Sequence, residues 1–180
     1  MPGSQGQDEI SRECELLKRL RAGDDIGAES IAFLVGRFRR GLSTDDYGVV
    51  VNVAKSPHAD RYEDFFVEVL ERYPDAHVRS AGLFALCNCL GLEAKYRDGI
   101  LQILRGLEWD EDDDCRLRAI SAAGDLLRVA PDLEIEQALR GIVADENTLA
   151  GTREAADDAL KRAAGWSWNQ VLGLKPPPTT

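Results

Sequence analysis

Apolar residues recur along this chain at intervals of three and four, the spacing that gathers them on one face of an α-helix. Tyr62, Phe65, Phe66, Val69, Leu70 and Tyr73 form one such stripe. Ile100, Ile103, Leu104 and Leu107 form another, and Ile135, Ala138, Leu139 and Ile142 a third. Nearer the start, Ile10, Cys14, Leu17 and Leu20 line up, as do Ile31, Leu34, Val35 and Phe38. Sustained period-two alternation is absent, and Val49-Val50-Val51 is the one β-prone run.

The breaks between stripes have physical causes. Gly23 to Gly27 separates the first two stripes, and Gly41 ends the second just past Arg37, Arg39 and Arg40, whose charge suits a helix C-terminus. Ser43 or Thr44 can cap the next helix, with Asp45 and Asp46 in its first turn. Pro57, Pro74 and Pro131 each interrupt a helical run, because proline lacks the donor and clashes with the preceding turn. The pattern predicts helices over 8–21, 28–40, 45–55, 60–73, 76–90, 95–107, 114–130, 132–144 and 152–164. Paired in order, they make four helical hairpins and a terminal helix. Residues 1–7 read as a disordered arm, 8–164 as a single domain, and 165–180 as a cap segment with a Pro-rich tail.

A short motif returns in the second half. Asp75-x-x-Val78-Arg79 and Asp114-x-x-Leu117-Arg118 open Ala-rich helices, and Gly151-Thr152-Arg153 opens a third. The three arginines stand 39 and 35 residues apart, a return period typical of helical repeats. With Ala81, Ala85-Leu86, Ala122, Ala156 and Ala159-Leu160 in place, residues 75–164 resemble HEAT repeats. The resemblance implies an all-α, right-handed α-solenoid of about four helical hairpins plus a terminal helix. It also implies that Asp75, Asp114, Arg79 and Arg118 pair between neighbouring units, with Arg153 in the corresponding place. Such pairs set stacking register more than they add stability.

Charge narrows the partners. The net charge of the 180 residues is −10, from 32 acidic and 22 basic side chains. Residues 1–40 hold seven of each, so the whole excess follows residue 40. That balance argues against nucleic acid, whose phosphates call for Lys and Arg, and favours a basic protein surface. The densest acidic run is Glu108-Trp109-Asp110-Glu111-Asp112-Asp113-Asp114. It reads as a solvated loop in which Asp113 or Asp114 caps the next helix, or as a contact site with Trp109 as aromatic anchor among Asp110, Glu111, Asp112 and Asp113. A calcium loop is a third reading, although the alternating ligands and central glycine of an EF-hand are missing.

Other chemistry is sparse. His58 and His77 both fall near helix boundaries, where a capping or solvated role suits them. No phosphate loop, zinc-type spacing or nucleophile elbow occurs, so no catalytic residue, metal or cofactor is expected. The four cysteines, Cys14, Cys87, Cys89 and Cys115, read as free thiols. No apolar run approaches the roughly 20 residues that span a bilayer. With no leader-like opening, a cytoplasmic monomer is expected. Trp166 and Trp168 either fold back over the last apolar face, as terminal repeats need, or dock a partner.

Three functional classes follow. One is a non-catalytic protein-binding module. A second, more specific version is an acidic immunity or antitoxin protein that neutralises a basic toxin domain. The third is a lyase-type enzyme of the HEAT-like kind that handles tetrapyrrole chromophores.

Overall fold

The computed structural model describes residues 3–171 and 173, and among them every regular element is helical. The elements are α1 (Gly3–Arg21), α2 (Ala28–Arg39), α3 (Asp46–Ala54), a 3-10 turn (Ala59–Tyr62), α4 (Glu63–Arg72), α5 (Ala76–Phe84) continued by a π-helical turn (Ala85–Cys89), α6 (Arg97–Leu104), α7 (Asp114–Val129), α8 (Leu133–Ala144), α9 (Ala150–Ala163) and the single turn α10 (Trp168–Val171). Val49 and Val50 of the β-prone run are buried inside α3, where core packing outweighs local preference. Where the sequence reads one domain over 8–164, packing divides the chain into two compact units, residues 1–91 and 92–180.

In the first unit, α3 packs on α1, α2 and α5, and α5 packs on α4. The close approach of α4 and α5 depends on Gly82, where a Cβ would lie 2.9 Å from the Phe66 carbonyl oxygen. Phe38 and Phe65 meet edge to face, with ring centroids 5.1 Å apart, and Phe66, Ile31 and Leu34 complete the core. Asp45 and Asp75 cap α3 and α5 by accepting from the Gly48 and Val78 amides. The capping role expected of Ser43 or Thr44 therefore falls to Asp45. In the π-helical turn the Leu90 amide donates to the Ala85 carbonyl, five residues back, and Gly91 ends the turn at φ 65°.

Two expectations for α1 are corrected. Gly3 to Gln7, read as a disordered arm, are helical and carry α1 about one and a half turns further out. The helix is also rotated relative to the apolar stripe. Ile10 and Cys14 are exposed, and Glu13, Leu16 and Leu17 face inward. The cause is Arg37 on α2, described below.

In the second unit, α7 packs on α6 and α9, and α8 packs on α6 and α9. Small residues again permit the approach: a Cβ on Gly124 would sit 3.1 Å from the Ala159 Cβ, and Ala119, Ala122, Ala123, Ala156 and Ala159 are buried. Leu139, Ile135 and Ile142 of α8 fill the layer beside them. Asp132 caps α8 through the Glu134 and Ile135 amides and receives two hydrogen bonds from Arg97 at 2.8 and 2.9 Å. Arg97 holds its carboxyl down at about pKa 2.

Of the two tryptophans for which a cap or a docking role was open, one is described. Trp166 is 48% exposed, with Lys161 Nζ 6.0 Å from its ring centroid. Gly165, at φ 89°, ends α9 in the left-handed conformation, and the turn α10 that follows packs against α9. The Trp168 side chain, Leu172 and 174–180, to which the cap and tail were also assigned, lie outside the described residues.

Candidate functional site

The acidic run occupies the loop between α6 and α7, and the fold splits its carboxylates into two kinds. Asp110 turns inward and is only 4% exposed. Its carboxylate accepts from the backbone amides of Cys115 at 3.1 Å and Arg116 at 2.9 Å, two donors of the first turn of α7 that no helical carbonyl can reach. Asp110 is therefore the cap of α7, from three residues before the position where a cap normally sits. Asp113, at that position, makes no side-chain cap and adopts φ 56°. Asp tolerates that left-handed conformation better than most side chains. Its carboxylate instead accepts from the Thr152 hydroxyl at 2.8 Å, which ties the start of α9 to the start of α7.

Arg116 completes this clamp. Its Nε donates to the Leu104 carbonyl at 3.1 Å, and its Nη1 lies 3.8 Å from Asp113. Asp145, between α8 and α9, accepts from the Thr148 hydroxyl and the Asn147 amide. These bonds and, to a smaller degree, the charge of Arg116 depress its pKa.

The remaining members face solvent. Glu108, Glu111 and Asp112 are exposed, and Trp109 is 41% exposed between them. No ion pair engages these three carboxylates among the described residues. Of the five residues expected to contact a partner, Trp109, Glu111 and Asp112 thus stand at the surface. Asp110, buried, has both oxygens taken by the α7 amides, and half-buried Asp113 has one taken by Thr152, so these two hold the loop's own structure.

Two of the repeat residues bond within their own stretch of chain. Asp75 caps its own helix, and Arg79 Nε donates to the Tyr73 carbonyl. Asp114 and Arg118 are half-buried in the first turns of α7. Arg153, also half-buried, has an Nε with no hydrogen-bond partner.

The two histidines fall within the first unit. His58 Nε2 lies 3.2 Å from Asp25, and His77 stacks on Tyr47 with centroids 4.2 Å apart. No group of three or more His, Cys, Asp or Glu among the described residues is placed to hold a metal ion. No helix among them is long and apolar enough to cross a membrane.

One polar centre has no counterpart in the sequence reading. Glu13 is fully buried and Arg37 is 4% exposed, and Arg37 Nε donates to Glu13 at 2.7 Å. Arg37 also reaches Glu9 at 2.7 Å and the Leu42 carbonyl at 2.5 Å. The other Glu13 oxygen accepts from the Ser43 hydroxyl at 2.9 Å and the Thr44 amide at 2.8 Å. Burial alone raises the Glu13 pKa, but the Thr44, Arg37 and Ser43 hydrogen bonds outweigh it and the net shift is downward. With each guanidinium nitrogen and each Glu13 oxygen hydrogen-bonded, the pair fastens α1, α2 and the loop before α3 together. The Glu9-x-x-x-Glu13 spacing on one helix face, with a lone Arg37 inside an apolar stripe, is the trace it leaves in the sequence.

No family model matches the chain, and no curated protein or solved structure is significantly similar to it.

Proposed function

We propose that this chain is a non-catalytic helical-repeat module, HEAT-like and of right-handed solenoid type, that binds a basic protein through the α6–α7 loop. The observation that carries the reading is the division of labour within that loop. Asp110 and Asp113 fix its backbone from inside, and Glu108, Glu111 and Asp112 stand outside around a half-exposed Trp109. A loop held in this way loses little freedom on binding, so its charge and its indole act at full strength. Unpaired surface carboxylates speed encounter with a basic surface, and a tryptophan at their centre supplies apolar contact. An immunity or antitoxin protein facing a basic toxin domain would use such a surface. Support for the repeat architecture comes from the small-residue layers of α5, α7 and α9 and from the packing of α7 on α9 in the second unit.

The test immobilises the full chain and a Glu108→Ser, Glu111→Ser, Asp112→Ser variant side by side and identifies what each captures from the source cell by mass spectrometry. Basic proteins held by the first and lost by the second are expected, with association slowing as salt rises. Equal capture by both, or a salt-independent rate for the captured partner, would overturn the assignment of the loop. Turnover of a tetrapyrrole or other small substrate by the purified chain would overturn the non-catalytic reading.

A further inference from the structure

The turn between α8 and α9 breaks a local rule at Leu149. This residue is the N-cap of α9, a position that favours Ser, Thr, Asp or Asn and strongly disfavours leucine, and no side chain caps the helix. The core takes up only part of the leucine, which is 52% exposed. A residue that serves its helix badly and the core only in part marks a place where function overrides folding.

Its surroundings say what it meets. Thr152, three residues on, donates its hydroxyl to Asp113 at 2.8 Å, which pins the start of α9 to the end of the acidic loop. Leu117, whose amide donates to the Asp113 carbonyl, is 37% exposed, and Trp109, four residues before Asp113, is 41% exposed. Three large apolar side chains thus stand open within about one turn of chain from a single bond. The exposed charges among them have one sign. Glu108, Glu111 and Asp112 of the loop, and Glu146 of the α8–α9 turn, are exposed and make no ion pair among the described residues. Arg116, Arg118 and Arg153, the arginines of this end, are half-buried. Apolar side chains set among such carboxylates complement a segment that is itself both apolar and basic.

We infer that Leu149 is a contact residue: with Trp109 and Leu117 it receives the apolar face of a basic amphipathic helix of the partner, whose cations meet the loop carboxylates. This rests on the loop reading above and extends that site to the α8–α9 turn. Isothermal titration calorimetry of the full chain tests it with two synthetic peptides of equal length and charge, an amphipathic Lys–Leu helix and a Lys–Ser peptide without an apolar face. Wild type should bind the first at least about tenfold more tightly. Leu149→Ser should weaken the Lys–Leu peptide about five- to tenfold, the effect of leaving half a leucine side chain in water, and leave the Lys–Ser peptide unchanged. The serine hydroxyl supplies the missing cap, so Leu149→Ser should melt about 2–4 °C above Leu149→Ala although both lose the contact. Leu42→Ser, altered at a leucine 50% exposed in the first unit, should bind both peptides as wild type does. The Glu108→Ser, Glu111→Ser, Asp112→Ser chain should weaken both peptides alike, and wild-type binding by that chain would overturn the loop reading alone. Equal affinity of wild type for the two peptides, a Leu149→Ser chain that binds Lys–Leu unchanged, or one that melts below Leu149→Ala would each overturn the role of Leu149. Absence of binding to either peptide would overturn both readings.

Discussion

Replacing Asp110 by Ala removes one carboxylate that looks, in sequence, no different from its acidic neighbours. In the structure it strips two acceptors from the first turn of α7, leaving the Cys115 amide without its partner beside a fully buried side chain. Loss of a helix cap costs about 1 kcal/mol, and an unsatisfied buried donor about 1–3 kcal/mol. Since the two overlap, about 2–3 kcal/mol is expected. At roughly 2–4 °C per kcal/mol for a chain of this size, the melting point falls by about 5–10 °C. Asp110→Asn, which keeps one acceptor oxygen but gives up the charge near the helix N-terminus, should recover about half of the loss. Asp112→Ala, two residues away and exposed, should stay within about 0.5 kcal/mol of wild type. Urea unfolding followed by far-UV circular dichroism reads all three. Equal stability of the Asp110→Ala and Asp112→Ala variants would refute the capping role and return Asp110 to the surface charge.

Other outcomes follow from the same structure. Glu13→Ala leaves Arg37 buried without its partner and should cost about 3–5 kcal/mol, whereas Glu13→Leu with Arg37→Leu should cost much less than the sum of the single changes, in a double-mutant cycle of urea midpoints. Asp132 has its pKa depressed to about 2 by Arg97, so its contribution is present above the unfolded value of about 3.9 and is lost as pH falls towards 2. Acid unfolding should accordingly be less steep over that window in Asp132→Asn, measured by tryptophan fluorescence. Gly82→Ala drives a methyl group to 2.9 Å from the Phe66 carbonyl and 3.0 Å from the Leu70 amide, both backbone atoms, and should lower stability by about 1–3 kcal/mol, against a near-neutral Gly99→Ala whose Cβ meets open space.

The helical class was legible because the apolar periodicity of α4, α6 and α8 reports the burial that forms them. Helix ends at Gly41, Pro74 and Pro131 were legible for local reasons of backbone geometry. The inward carboxylates were not. Whether Glu13 or Cys14 faces the core depends on Arg37, twenty-four residues away, and no periodicity of α1 carries that information. Asp110 and Asp112 are likewise indistinguishable by type, since only the folded loop decides which one meets the α7 amides. For Trp166 the sequence left a cap and a docking role both open, and only the fold shows the ring half-exposed beyond the turn at Gly165.

The π-helical turn at Ala85–Cys89 has a consequence for tolerance to length change. An α-helix advances by about 100° per residue, so deleting one residue from α5 would swing everything beyond it about a quarter-turn off the core. A π turn already holds one residue more than an α turn needs. Losing the exposed Asn88 should let 85–90 close as ordinary α-helix, with Ala85, Leu86 and Leu90 still in phase. Deleting Ser80 from the regular part of the helix has no such slack to draw on. The melting points of the two deletion variants should differ by far more than their equal loss of one residue would suggest, and comparable melting would show that the extra residue is not spare.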